Sequence, residues 1–93
     1  MDNVDNDVTS CNMVTSWFNW KFIGYGYQGS LSHQIFYKYG TTLPQCIAFC
    51  TKKRQDSGAA WNGLDWVPSD GQCNCNENDV GHTDGSNSLH FKV

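Results

Sequence analysis

Thr42-Leu43-Pro44-Gln45-Cys46-Ile47-Ala48-Phe49-Cys50-Thr51-Lys52-Lys53-Arg54 is the run from which the rest of the chain is best read, taken together with Gln72-Cys73-Asn74-Cys75. Thr42 and Gln45 have the spacing of a capping box, in which each side chain satisfies a backbone donor at a helix start. Pro44 falls in the first turn, where a missing N–H costs little. Leu43, Cys46, Ile47 and Cys50 stand at i, i+3, i+4 and i+7, one face of a helix. Lys52, Lys53 and Arg54 suit the negative end of the helix dipole. The run therefore predicts a helix over 42–54.

Cys46 and Cys50 stack on the buried face of that helix, with Cβ atoms roughly 5–6 Å apart. Cys73 and Cys75, two apart in a strand, point to one side and lie roughly 6–7 Å apart. A disulfide needs Cβ atoms about 3.5–4.5 Å apart. Bridges within the helix or within the strand are therefore strained, and bridges from helix to strand are easy. Two of them would bolt the helix to a sheet, each closing a loop of roughly 25–30 residues, worth about 3–4 kcal/mol in the chain-entropy model. Which helix cysteine meets which strand cysteine is left open by the spacing.

The chain has 93 residues, enough for one domain with a thin stability margin, the size at which covalent staples are common. Its net charge is −3 and its pI about 5.3; nucleic acid and anionic membranes both call for a basic stripe, so neither is an expected partner. No apolar run approaches the roughly 18 residues of a membrane span. The first ten residues, MDNVDNDVTS, lack the basic and apolar regions of a signal peptide. Five cysteines in so short a chain nevertheless favour an oxidising compartment. The two observations agree if this is a mature or excised secreted module whose Met1 is not native. A native Met1 would instead favour a cytosolic metal site.

Residues 1–10 are polar and without periodicity and are expected to form a flexible tail; residues 11–93 form the domain. Trp17 to Ile23 is rich in β-formers and reads as a strand. Gly24, Gly26 and Gly29, interleaved with Tyr25 and Tyr27, suggest a turn or bulge. Leu31 to Tyr39 is a short strand or a helical turn. After the helix, 55–58 reads as a loop and Ala59 to Val67 as a strand. Simple alternation puts Asn62, Leu64 and Trp66 on the helix side of that strand, and Trp61, Gly63, Asp65 and Val67 on the other. Pro68-Ser69-Asp70-Gly71 is a hairpin turn, Gln72 to Asn76 pairs back, 77–88 is a polar loop and Leu89 to Val93 is a closing strand. The expected fold is α+β, a single helix on a small antiparallel sheet, stapled by disulfides.

The ordered set Thr42-x3-Cys46-x3-Cys50, Trp61-x-Gly63-Leu64-x-Trp66 and Cys73-x-Cys75 resembles the PAN/apple superfamily, and its C-x-C ending and Gly-Leu-x-aromatic strand are closest to the WSC-type relatives. The likeness spans about residues 17–93. It implies a helix cradled by a sheet of about five strands, with disulfides from the helix to a central strand. It also implies a non-catalytic extracellular module that binds protein or carbohydrate. The chain departs from the pattern in two ways. Apple domains usually join their two ends by a third bridge, and here no cysteine follows Cys75; WSC-type modules are richer in cysteine. Ligand sites differ among the relatives, so no binding residue carries over.

Several residues invite chemistry. Four thiolates, or some of them with His82 or His90, would suit zinc, but the spacings are poor matches to a C-x-x-C knuckle, and structural disulfides are the expected use of Cys46, Cys50, Cys73 and Cys75. Cys11, the odd one, is a free thiol, an interchain link that would make a homodimer, or the remnant of a bridge to a segment cut away from this chain. Glu77, Asp79 and Asp84 could offer oxygens to calcium, although a solvated loop is the default for such a stretch. No nucleophile–base–oxyanion constellation is present in the sequence pattern, so the domain is read as no enzyme, with no cofactor and no metal. Among the aromatics, Trp66, Phe49, Phe22 and Phe91 are expected in the core. Tyr25, Tyr27 and Trp61 are expected to be exposed as ligand-binding residues, with Asp65 and His82, helped by Asn62 or Asn78, supplying hydrogen bonds. Flat aromatic faces stack on sugars and anchor protein partners. The expected function is lectin-like adhesion: recognition of a glycan or a glycosylated extracellular protein. The alternatives are a protein–protein assembly module of the same fold and an intracellular zinc-binding protein.

Overall fold

The computed structural model describes residues 19–26 and 32–93. The elements run β1 (Lys21–Tyr25), β2 (His33–Phe36), α1 (Leu43–Ser57), β3 (Trp61–Val67), β4 (Gln72–Glu77) and β5 (Leu89–Lys92). The strands form one five-stranded sheet in the order β1-β5-β3-β4-β2, and every neighbouring pair is antiparallel. Residues 1–18, with the expected tail and Cys11, lie outside the described residues, as do Tyr27 and the rest of 27–31.

The helix begins as the sequence predicts. The Thr42 backbone N–H donates to Gln45 Oε1 at 2.9 Å and the Gln45 N–H donates to Thr42 Oγ1 at 3.2 Å, closing the box reciprocally. The helix does not stop at Arg54. It continues for a further turn, held by an i,i+4 pair of Lys52 and Asp56 at 3.0 Å, and ends where the Gly58 N–H reaches Arg54 O. The segment read as a loop at 55–57 is thus helical.

Cys46 pairs with Cys73 and Cys50 with Cys75, both with Cα atoms 5.5 Å apart. The equal separations follow from geometry. Four residues of helix advance about 6 Å and two residues of strand about 6.5–7 Å, so two parallel rungs fit between them. The helix therefore lies along β4 in the same direction, packed on β3 and β4. Ile47 and Leu64 are fully buried between the layers, with the four bridge cysteines, Trp20 and Phe91 around them. Trp20 Nε1 donates to Thr51 Oγ1 at 3.0 Å, and Trp66 Nε1 donates to Thr41 O at 3.1 Å, so both indoles bury their rings without orphaning the N–H.

Phe91 is core, and Trp66 and Phe49 pack against it. Phe22 does not: it is 48% exposed. It stands opposite Phe91 on the helix face, but the bridges centre the helix on β3 and β4, and β1 lies beyond its reach.

Simple alternation fails at the start of β3. Trp61 pairs with Glu77 and Gly63 with the next residue, Asn76, so one extra residue, Asn62, is inserted. Such a bulge reverses which side chains point to which face. Trp61 is thereby carried to the helix side, where it is partly buried against the core under Lys53 Nζ, 4.7 Å from the ring centroid. Asn62 is carried to the opposite side. A second bulge, at Ile23 in β1, does the same.

Candidate functional site

The sheet face away from the helix is buried, and polar. Asp65 and Asn74 are cross-strand partners, as are Asp65 and His90; Asn76 stands beside them on β4. Asp65, Asn76 and His90 are fully buried, and Asp79 nearly so. The cover is the loop after β4. Asp79 is brought down onto the sheet by Asn62, which accepts from the Asp79 N–H at 2.8 Å and donates through Nδ2 to Asp79 O at 3.0 Å. Gly63 lies directly beneath: a Cβ there would collide with the Asp79 carboxylate. Farther along, Thr83 lies over Gly24, and Asp84 over Gly26.

The polar groups form a connected chain. His90 Nε2 donates to Asp79 Oδ2 at 2.6 Å, and His90 Nδ1 lies 3.5 Å from Asp65 Oδ1. Asn76 Nδ2 donates both hydrogens to carboxylates, to Asp65 Oδ2 at 3.0 Å and Asp79 Oδ2 at 2.9 Å. Asp79 Oδ1 accepts from the Gly81 N–H at 2.8 Å. Gln34, at the surface, closes the chain by donating from Nε2 to Asn76 Oδ1 at 2.8 Å and to Asp65 Oδ2 at 3.4 Å.

Burial is the largest single influence on His90 and lowers its pKa. The hydrogen bond to Asp79, the charges of Asp65 and Asp79 and the His82 backbone together outweigh it, so the pKa is raised above the ordinary 6.5. The imidazolium is the form two flanking carboxylates favour. The cluster has acid and base groups, but none of Asp65, Asp79 and His90 is open to a substrate. It fastens a loop to a sheet.

The predicted ligand residues fare differently. Tyr25 is 56% exposed, as expected, with Phe22 edge-on to it at 5.3 Å. His82 is exposed in the covering loop. Tyr27 lies outside the described residues. Trp61 is not an exposed platform on the far face, because the Asn62 bulge turns it under Lys53. Asp65 is on the far face but sealed beneath the loop, so it contacts no ligand. Asn62 serves Asp79, and Asn78 donates to Ser32 Oγ at 2.7 Å. The three acids of the loop are not gathered for calcium. Glu77 takes His33 Nδ1 at 2.6 Å, Asp79 is turned inward, and Asp84 accepts from the Ser86 N–H at 3.0 Å. Nor is the loop simply solvated, since Asp79 is its buried anchor. Three of the four bridge sulfurs, those of Cys46, Cys50 and Cys73, lie within 4.8 Å of one another, but all four are consumed by the two disulfides, and zinc would require their reduction.

The alternating pattern of β2 gave no warning of a second aromatic pair. Phe36, 49% exposed, and Tyr39, 58% exposed, have ring centroids 5.1 Å apart, and Gln72 Nε2 lies 3.5 Å from Tyr39 Oη. Tyr37, between them in sequence, faces the helix instead and stacks on Phe49 at 3.9 Å.

No family model, curated protein or solved structure matches the chain. Among the described residues the structure is a small α+β domain with one helix, a five-stranded antiparallel sheet and two disulfides. The disulfides point to an oxidising environment, and no helix among the described residues is long and apolar enough to cross a membrane.

Proposed function

We propose that this domain is a secreted, non-catalytic recognition module of the PAN/apple type that binds carbohydrate or a glycosylated partner. The observation that carries the reading is the placement of the aromatics. Phe36 and Tyr39 stand half exposed at one margin of a rigid, doubly stapled sheet, while Asp65, Asp79 and His90 are buried beneath the covering loop. Large aromatics held open on a stiff scaffold are costly unless something covers them, and ring faces are what sugars and protein anchors use. The helix-to-strand bridges and the direction of the helix along β4 support the family reading, as does the Trp61–Trp66 strand packed between its neighbours.

A glycan array probed with the intact chain tests this: binding to a defined set of glycans is the expected result, and silence across the array would remove the carbohydrate reading. A second reading, protein–protein assembly, has its own support in the exposed aromatic pair Phe22 and Tyr25 on β1. It predicts that Tyr25→Ala weakens association of the chain with itself, measured by sedimentation, and that a non-reducing gel shows a dimer if Cys11 forms the link.

A further inference from the structure

We propose that Gln34, Phe36 and Tyr39 form a docking site for one uncharged pyranose ring of a glycan, with the buried Asp65–Asn76 pair acting as its positioning residues. This deepens the recognition reading above and rests on it. Gln34 and Phe36 alternate along β2 and stand opposite Asn76 and Asn74 on the same face of the sheet, so their side chains rise side by side about 6–7 Å apart. Tyr39 adds a second ring against Phe36, and Gln72 lies against its hydroxyl. A ring face and a fixed amide at this spacing can be spanned by one sugar, whose axial C–H groups pack on the aromatic while a hydroxyl reaches the amide.

The orientation of the Gln34 amide is set from below. Carboxylates only accept, so Asp65 and Asp79 require that Asn76 turn its Nδ2 toward them. The Asn76 oxygen is thereby turned toward Gln34, which must answer with Nε2. Both Gln34 donors then point into the network, and the amide offers solvent its oxygen, an acceptor ready for a hydroxyl hydrogen. Pre-orientation of this kind lowers the ordering cost of binding. The same cluster decides the charge of the ligand. Two carboxylates against one histidine leave the ground beneath Gln34 negative, which disfavours a sialic acid or a sulfated sugar and suits a neutral ring. Of the nearby charged groups, Lys38 is taken up over the Tyr37 ring and His33 by Glu77.

The test is an array of neutral and sialylated oligosaccharides, probed with the native chain and with Phe36→Ala, Gln34→Ala and, on the helix at the opposite side of the sheet, Gln55→Ala. All three side chains are exposed, so the variants keep the core, and retention of the native melting temperature verifies this. The expected result is binding to neutral glycans only, weakened at least tenfold by Phe36→Ala and by Gln34→Ala and unchanged by Gln55→Ala. Binding that survives Phe36→Ala, that is lost in Gln55→Ala, or that selects the sialylated probes overturns the site while leaving the recognition reading in place. Silence of the native chain across the array overturns the site and the carbohydrate reading together.

Discussion

His90 is the residue at which composition misleads most. In sequence it offered no role beyond a partner for the cysteines in a zinc site; here it is fully buried between two carboxylates. Its raised pKa ties stability to pH. The folded state holds the proton more tightly than the unfolded chain. The stabilisation is therefore complete below about pH 6.5, the unfolded value, and is lost as pH rises through the folded pKa. Thermal melts across this window should show a falling midpoint, and the ring protons of His90 in NMR should titrate above the ordinary histidine value. Gly63 is equally constrained. Gly63→Ala would drive a methyl into the Asp79 carboxylate and should cost about 1–3 kcal/mol, as overpacking does, measurable by urea denaturation. Neither role was visible in sequence. Asp79 sits among polar loop residues, where an anchor looks like any solvated acid, and its partners come from strands far away along the chain.

At the scale of the element, the helix was legible because its signals are local: a cap, a proline in the first turn and an apolar face all lie within one run. Thr42→Ala should remove the side-chain cap and destabilise the domain by about 1 kcal/mol, read from the shift in denaturation midpoint with the slope unchanged. β1, β3, β4 and β5 were legible as strands, β2 read equally well as a helical turn, and the faces were legible only in part. Leu64 and Trp66 do face the helix, but Trp61 and Asn62 exchange sides because of one inserted residue. A bulge is specified by the partner strand and by what lies above it, here the Asp79 backbone that Asn62 grips, and a single strand read alone carries no sign of it. Deleting Asn62 should restore regular alternation with Trp61 still under Lys53 opposite Glu77, so acrylamide quenching of tryptophan fluorescence stays unchanged, while the loss of both hydrogen bonds to the Asp79 backbone lowers the urea midpoint.

At the scale of the molecule, the pairing of helix to strand was legible from two matched spacings, and the choice of partners was not, since both arrangements satisfy those spacings. The direction of the helix along β4 settles it as Cys46–Cys73 and Cys50–Cys75. Peptide mapping without reduction should recover those two pairs. Exchanging Cys46 and Cys73 for alanine together should cost about 2–5 kcal/mol, the usual loss for a native bridge, as judged by thermal melting. The sheet order, with β5 inserted between β1 and β3, was out of reach, because it depends on long-range pairing that no local pattern encodes.

The two rungs interleave along the chain, 46 to 73 and 50 to 75, and this governs what a cut to the backbone does. A protease that cuts the exposed turn at Pro68 to Asp70, or anywhere else between Cys50 and Cys73, adds one water and releases nothing, for both halves stay tethered by two covalent links. A nicked copy should run as an intact chain until it meets a reductant, and then fall into two pieces at once.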